Sequence, residues 1–242
     1  MIITLYKAFN RLLGFFVSAY DRIITKMRFL GNGVKLHNFR TSGIPYVMVA
    51  RGGTMKVGNN LAMNNGIKGN PIGCYERCTF FVDRGATLEI GDNVGLSQAA
   101  LISHCSLKIG NNVKIGGGTA IYTTDFHSLD ASIRKSNDDM KYRVSLPVVI
   151  EDNVFIGAKS IILKGVTIGE NSIIGAGSVV TKSIPANEIW AGNPAKCIRK
   201  RFDDFTIERL LKLQWWNLSD DDISKIGDYF NDPQKFLNEI YK

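Results

Sequence analysis

The chain of 242 residues is poor in cysteine (four), proline (six) and histidine (three), and each scarcity closes off a class of protein. Cys74, Cys78, Cys105 and Cys197 form no C-x-x-C pair, so reduced thiols of a cytosolic protein are expected rather than a disulfide framework. Six prolines leave no proline-rich linker. No uncharged apolar run approaches the length of a membrane span, because the stretch from Leu12 to Tyr20 lies between Arg11 and Asp21. No small-x-small cleavage pattern follows that stretch, so a secretion leader is not expected either. Acids are scarce at one end. Residues 1–50 hold seven Lys/Arg against one acid, whereas residues 202–242 hold five against nine. The net charge of +8 is therefore segmental, and between those ends basic residues alternate with acids. A nucleic-acid binder needs a continuous basic stripe with stacking aromatics, so no nucleic-acid partner is expected. With 45% hydrophobic and 21% charged residues, a folded core is expected.

What is abundant is glycine, at 24 residues, and it is spaced. From Ile150 onward, aliphatic residues fall at 150, 156, 162, 168, 174 and 180 without a slip. Four places after each stands a small or branched residue: Val154, Ser160, Val166, Ser172, Ser178 and Ile184. The frame runs upstream through Ile90, Leu96 and Ile102, resumes after one extra residue at Ile109, Ile115 and Ile121, and has weaker copies at Val57 and Met63. A helix does not repeat at six, and a plain strand repeats at two. Six residues make one flat side and one corner, and three sides close a coil that stacks on the next through a parallel ladder. About six coils, roughly 28 Å tall, fit between residues 57 and 185.

The frame I-G-x-N-[SV]-x, the run I174-G-A-G-S-V-V-T-K182 and the following A191-G-N-P-A-K196 resemble the hexapeptide-repeat acyltransferases. That resemblance, strong over residues 50–201, implies an all-β core in the form of a left-handed parallel β-helix. The hand comes from the resemblance alone, since parallel crossovers are otherwise right-handed. The loop T-D-F-H-S-L-D resembles the maltose, galactoside and polysaccharide O-acetyltransferases. The tail from Arg201 looks like that of the xenobiotic and streptogramin branch. A γ-type carbonic anhydrase, which shares the fold, needs three histidine ligands. With His37 well before the repeats, no metal site is expected.

Two places break the repeat. Residues 124–147 form a polar insertion containing His127, and such insertions carry function in a regular solenoid. Acyl transfer needs a base for the acceptor proton, imidazole suits that role, and the family places its catalytic histidine in this loop. Asp125 and Asp130 are near enough in sequence to orient the ring, although either could equally form a turn. The second break is the exit, residues 186–201. There the galactoside acetyltransferase pattern implies contacts of acetyl-CoA with Ala158, Ala176, Thr181, Lys196 and Arg199; the basic pair would meet the phosphates. Gln98 stands where that pattern has an acceptor-contacting asparagine, and His104, at a turn one coil before the loop, is a second candidate to face the acceptor; a plain surface turn is the competing reading of both.

Residues 1–30 carry an apolar stripe, Leu5, Phe9, Leu12, Phe16, Tyr20, Ile23, Met27 and Leu30, with the spacing of an amphipathic helix. Capping of the first coil or oligomer packing is the preferred role, and contact with an anionic membrane surface is the alternative. A lead-in follows over 31–56, the β-helix over 57–185 and a helical tail over 202–242, in which Trp215 and Trp216 would lie on an apolar helix face. The expected activity is acetyl-CoA-dependent O-acetylation of a sugar or polysaccharide precursor by a cytoplasmic homotrimer. N-acetylation of an amino sugar, acetylation of a xenobiotic, and a non-catalytic β-helix are the competing readings.

Overall fold

The computed structural model describes residues 2–213, 219, 221, 222, 224 and 233–240. It contains two compact units, Met1–Arg199 and Lys200–Lys242. In the first, three sheets form the sides of a triangular coil. Side A holds Phe39–Ser42, Leu61–Asn64, Gly95–Ser97, Lys114–Ile115, Phe155–Ile156, Ile173–Ile174, Glu188–Gly192 and Ala195–Lys200 in that order. Side B holds Tyr46–Val49, Thr79–Val82, Ala100–Ser103, Ala120–Tyr122, Ile161–Ile162 and Val179–Val180. Side C holds Thr54–Val57, Thr87–Ile90, Ser106–Ile109, Val148–Ile150 and Thr167–Ile168. Stacked strands pair in parallel, one coil apart: Leu96 lies over Ile115, Ile115 over Ile156, and Ile156 over Ile174.

Each part of the six-residue frame has a physical task. The aliphatics Ile150, Ile156, Ile162, Ile168, Ile174 and Val180 are buried in one continuous core, each contributing about 1.5–3 kcal/mol by leaving water. Ser160 and Ser178 are fully buried, and their hydroxyls donate to the carbonyl of Gly175, satisfying corner backbone that would otherwise be orphaned. The asparagine of I-G-x-N sits at the corner between sides C and A. Asn60, Asn93, Asn112 and Asn153 all take φ near 60° there, a region that asparagine tolerates better than most residues. Their side-chain amides bond in a ladder, one per coil, at 2.9–3.1 Å. Glycine is required where coils approach: a Cβ on Gly157 would lie 2.5 Å from the Ala176 nitrogen.

Three features depart from the sequence pattern. The stack begins at Phe39, and Val57 closes the third side of that first coil; Gly43, Pro45 and Gly52–Gly53 lengthen its corners and disguise the frame there. At the first slip the inward residue is Leu101, which is buried and aligned with Ile121, whereas Ile102 is only half-buried beside Tyr122. An insertion of residues 65–78, with a short helical turn at Gly66–Gly69, leaves the corner between sides A and B.

Helix α1, Ile2–Gly31, joins the first coil only by its last third. Asp21, Thr25 and Phe29 are its buried residues. Phe29 packs edge-on against Phe80, with ring centroids 5.4 Å apart. Asp21 accepts from the Gly43 N–H at 2.7 Å, while Arg22 and Arg28 donate to the carbonyls of Phe39 and Pro45. These bonds satisfy backbone groups at the open end of the ladder. The apolar stripe takes no part in the docking and is exposed along its whole length.

In the second unit Asp203 caps the helix Asp204–Leu213 through the N–H and hydroxyl of Thr206. Phe236 and Leu237 of the helix Pro233–Ile240 bury against Leu210 and Leu213. Trp215 and Trp216 lie outside the described residues.

Candidate active site

The residues singled out in the sequence gather on two corners of the coil, at opposite edges of side B. The corner between sides A and B forms one column. The Gln98 carbonyl accepts from Gly118, the Gly117 carbonyl from Lys159, and the Ala158 carbonyl from Gly177. Gln98, Ala158 and Ala176 therefore share a corner, and Lys196 and Arg199, both exposed, lie in Ala195–Lys200, the last strand of side A. Thr181 stands apart, at the far edge of side B after Val180.

Gln98 is 2% exposed, with φ of 43°. Its amide nitrogen donates to the carbonyls of Gly66, Asn70 and Cys74 at 2.8–3.3 Å. That tie holds the 65–78 insertion against the column. Acceptor contact through this nitrogen, the role implied by resemblance, would compete with three backbone carbonyls. Cys78, at the foot of the insertion, is buried, which pushes its thiol up to about 11 and leaves it un-ionised at neutral pH.

The second corner carries the 124–147 insertion. Its legs meet in a short antiparallel bridge of Thr124 with Ser145, where the Asp125 N–H donates to the Val144 carbonyl and the Leu146 N–H to the Thr123 carbonyl. On this base, Phe126 adopts φ of 66°, costly for an aromatic residue. Its ring is held inward by edge contacts with Tyr122 and His104, with centroids 5.2 and 5.7 Å away. His127, next in the chain, is left outside, with 63% of its side chain exposed.

The His127 ring is fixed by Asp139. Nδ1 lies 2.6 Å from Asp139 Oδ2, and Oδ1 of the same carboxylate accepts from the Ser128 N–H at 2.7 Å. The bond from His127, with that from Ser128, holds the Asp139 carboxyl below its usual range. A carboxylate at Nδ1 places the ring proton there and leaves the Nε2 lone pair to accept one. Neither acid proposed from the sequence fills this position. Asp125 pairs with Lys164 at 2.7 Å, and its other oxygen is buried without a partner. Asp130 caps the turn Ala131–Arg134 through the N–H groups of Ser132 and Ile133. Proximity in sequence misled here, because Asp139 is brought back by two short turns that the residues 131–141 do not advertise.

His104 belongs to a second cluster under the same loop. Its side chain is buried, Nδ1 is 2.7 Å from Asp83 Oδ2, and Arg143 from the returning leg reaches the same oxygen at 2.7 Å. Partial burial pulls Asp83 upward, but bonds from the Arg84 N–H, His104 and Arg143 outweigh it and hold the carboxyl below its usual range. Sandwiched between Phe81 and Phe126, His104 anchors the platform that presents His127.

A family model described as the hexapeptide repeat of succinyl-transferase matches residues 147–182. A chloramphenicol acetyltransferase of Agrobacterium fabrum is 35% identical over 127 residues, 50% of this chain and 61% of that protein. A solved maltose O-acetyltransferase from Clostridium difficile is 33% identical, covering 61% of this chain and 67% of the other, with a TM-score of 0.40. The chain belongs to the hexapeptide-repeat acyltransferases. Its coil is thus the family's left-handed parallel β-helix, the hand that periodicity could not supply. An N-acyltransferase from Bacillus cereus, solved with dTDP and 3-hydroxybutyryl-CoA, shares the fold over 81% of this chain and 96% of its own, at 22% identity and a TM-score of 0.55. The chain spans between 42% and 61% of the length of the curated relatives first matched.

Proposed function

We propose that this acyltransferase moves an acetyl group from acetyl-CoA to a hydroxyl of a sugar or polysaccharide precursor in the cytoplasm. The observation that carries the reading is the His127–Asp139 pair, set on an exposed loop with Nε2 available, in a chain of this family. Nε2 takes the acceptor proton as the acceptor oxygen bonds to the thioester carbon. The Ala158 N–H holds the resulting oxyanion. The carbon–sulfur bond then breaks, and the imidazolium returns its proton to the departing thiolate. No covalent enzyme intermediate is needed.

The donor fits the first corner. Small residues at 158 and 176 let an extended pantetheine arm approach the backbone, Lys196 and Arg199 suit its phosphates, and Thr181 is the outlying contact. Lysine at 196 binds phosphate as a point charge without the bidentate fork of arginine, so donor affinity is the property it tunes. His127 and Ala158 lie at opposite edges of side B. The base then reaches the thioester from the loop of a neighbouring copy, which suits the homotrimer that the resemblance implies. The relative named for chloramphenicol supports a drug-like acceptor as the second reading.

The joint variant Lys196→Ala/Arg199→Ala should raise KM for acetyl-CoA by roughly tenfold or more, with kcat nearly unchanged, in an assay of thiol release against a panel of sugars, nucleotide sugars and drugs. An unchanged KM would remove these residues from the donor site.

A further inference from the structure

The structure turns α1 in an unexpected direction. At about 100° per residue, the residues that dock on the first coil, Asp21, Thr25 and Phe29, lie roughly opposite the stripe running from Leu5 through Phe9, Leu12, Phe16 and Tyr20 to Leu30. The stripe points away from the protein over a helix about 45 Å long, with Phe9 63%, Phe16 61% and Tyr20 59% exposed. It is broad as well. Tyr6, Leu13, Phe15 and Val17 flank it, so apolar residues of the segment 2–20 cover roughly 200° of the surface, well beyond the narrow seam of a two-helix coiled coil. Thr4, Lys7, Asn10, Arg11 and Ser18 share the remaining arc with Gly14 and a single large apolar residue, Ile3.

Charge selects the occupant. From residue 2 to residue 75 the sole acid is Asp21, and it is buried and bonded to the Gly43 N–H. Lys7, Arg11, Lys26, Lys35, Arg40 and Arg51 are exposed on the same segment. A neighbouring copy would bring the same positive charge against it, whereas an anionic bilayer complements it. Among the described residues no helix is long and apolar enough to cross a membrane, so the helix would lie along a surface rather than span one.

We propose that α1 binds the surface of an anionic phospholipid bilayer, its apolar stripe immersed and its basic residues at headgroup level, holding the β-helix against the membrane. The inference does not depend on the acetyl-transfer reading. The full chain should cosediment with vesicles of about one-third phosphatidylglycerol in phosphatidylcholine, and bind pure phosphatidylcholine more weakly. Raising salt from ~0.1 M to ~0.5 M should weaken the binding. Phe9→Glu/Phe16→Glu, at exposed positions, should reduce binding roughly tenfold or more without altering circular dichroism or transfer to a soluble acceptor. The control Thr4→Glu/Ser18→Glu, on the opposite arc, should retain most of it. Wild-type chain remaining in the supernatant, or equal binding by the stripe variant, would overturn the proposal. So would a stripe variant whose only effect is a smaller oligomer by analytical ultracentrifugation, since the stripe would then be a contact between copies.

Discussion

Replacing Asp139 by asparagine should damage acyl transfer more than replacing it by alanine. The carboxylate accepts two hydrogen bonds at once, from His127 Nδ1 at 2.6 Å and from the Ser128 N–H at 2.7 Å. An amide has one acceptor oxygen. If that oxygen stays on the Ser128 N–H, the NH2 group faces Nδ1 and drives the ring proton to Nε2, the tautomer that cannot act as base. If the amide flips, the turn at Ser128 loses its acceptor. Alanine imposes no tautomer and lets water bond a ring that is already 63% exposed. A positioned base contributes about 10²–10⁴-fold. We therefore expect kcat to fall about 10²-fold in Asp139→Asn and about tenfold in Asp139→Ala, with KM for acetyl-CoA unchanged in both. The assay is acceptor-dependent thiol release near neutral pH. The acid dependence has a defined sign. Because the folded carboxyl sits below its usual value, its contribution to loop order is complete above the ordinary carboxylate range, near 4, and is lost as pH falls through the lowered value. Loop protection measured by hydrogen exchange should show that acid transition in the wild type and not in Asp139→Asn. Asp139→Asn activity within threefold of wild type would refute the reasoning.

Two further substitutions probe the supports of the site. Arg143→Leu removes the link from the returning leg of the insertion to Asp83 and His104, and should lower the melting temperature by about 2–4 °C and reduce kcat, read by calorimetry and thiol release. Gln98→Leu strands three backbone carbonyls, should cost about 1–3 kcal/mol, and should open residues 65–78 to limited proteolysis while the coils stay protected.

The lower coils were readable because there the inward aliphatic recurs every six residues without a slip from Ile150 to Val180, and a small or branched residue stands four places after each. The coil at Phe39 was hidden because an aromatic residue fills the inward position and the corners are lengthened. The insertion was visible as an interruption, and His127 stood out as one of three histidines. Asp139 could not be read, since its approach depends on two local turns and on the αL residue Phe126, and neither leaves a periodic trace. Nor could sequence show that Asp83 and Arg143, 60 residues apart, meet at His104. The amphipathicity of α1 was legible, but the direction of its stripe was not. Only the burial of Asp21, Thr25 and Phe29 shows which side docks.

The central claim is that His127 is the base of an acetyl-CoA-dependent transferase, and the most direct test is acceptor-dependent thiol release by wild type and His127→Ala, each shown folded by circular dichroism. With an acceptor identified, the variant should transfer about 10²–10⁴-fold more slowly while binding acetyl-CoA as tightly. Transfer by the variant at near wild-type rate would contradict the account.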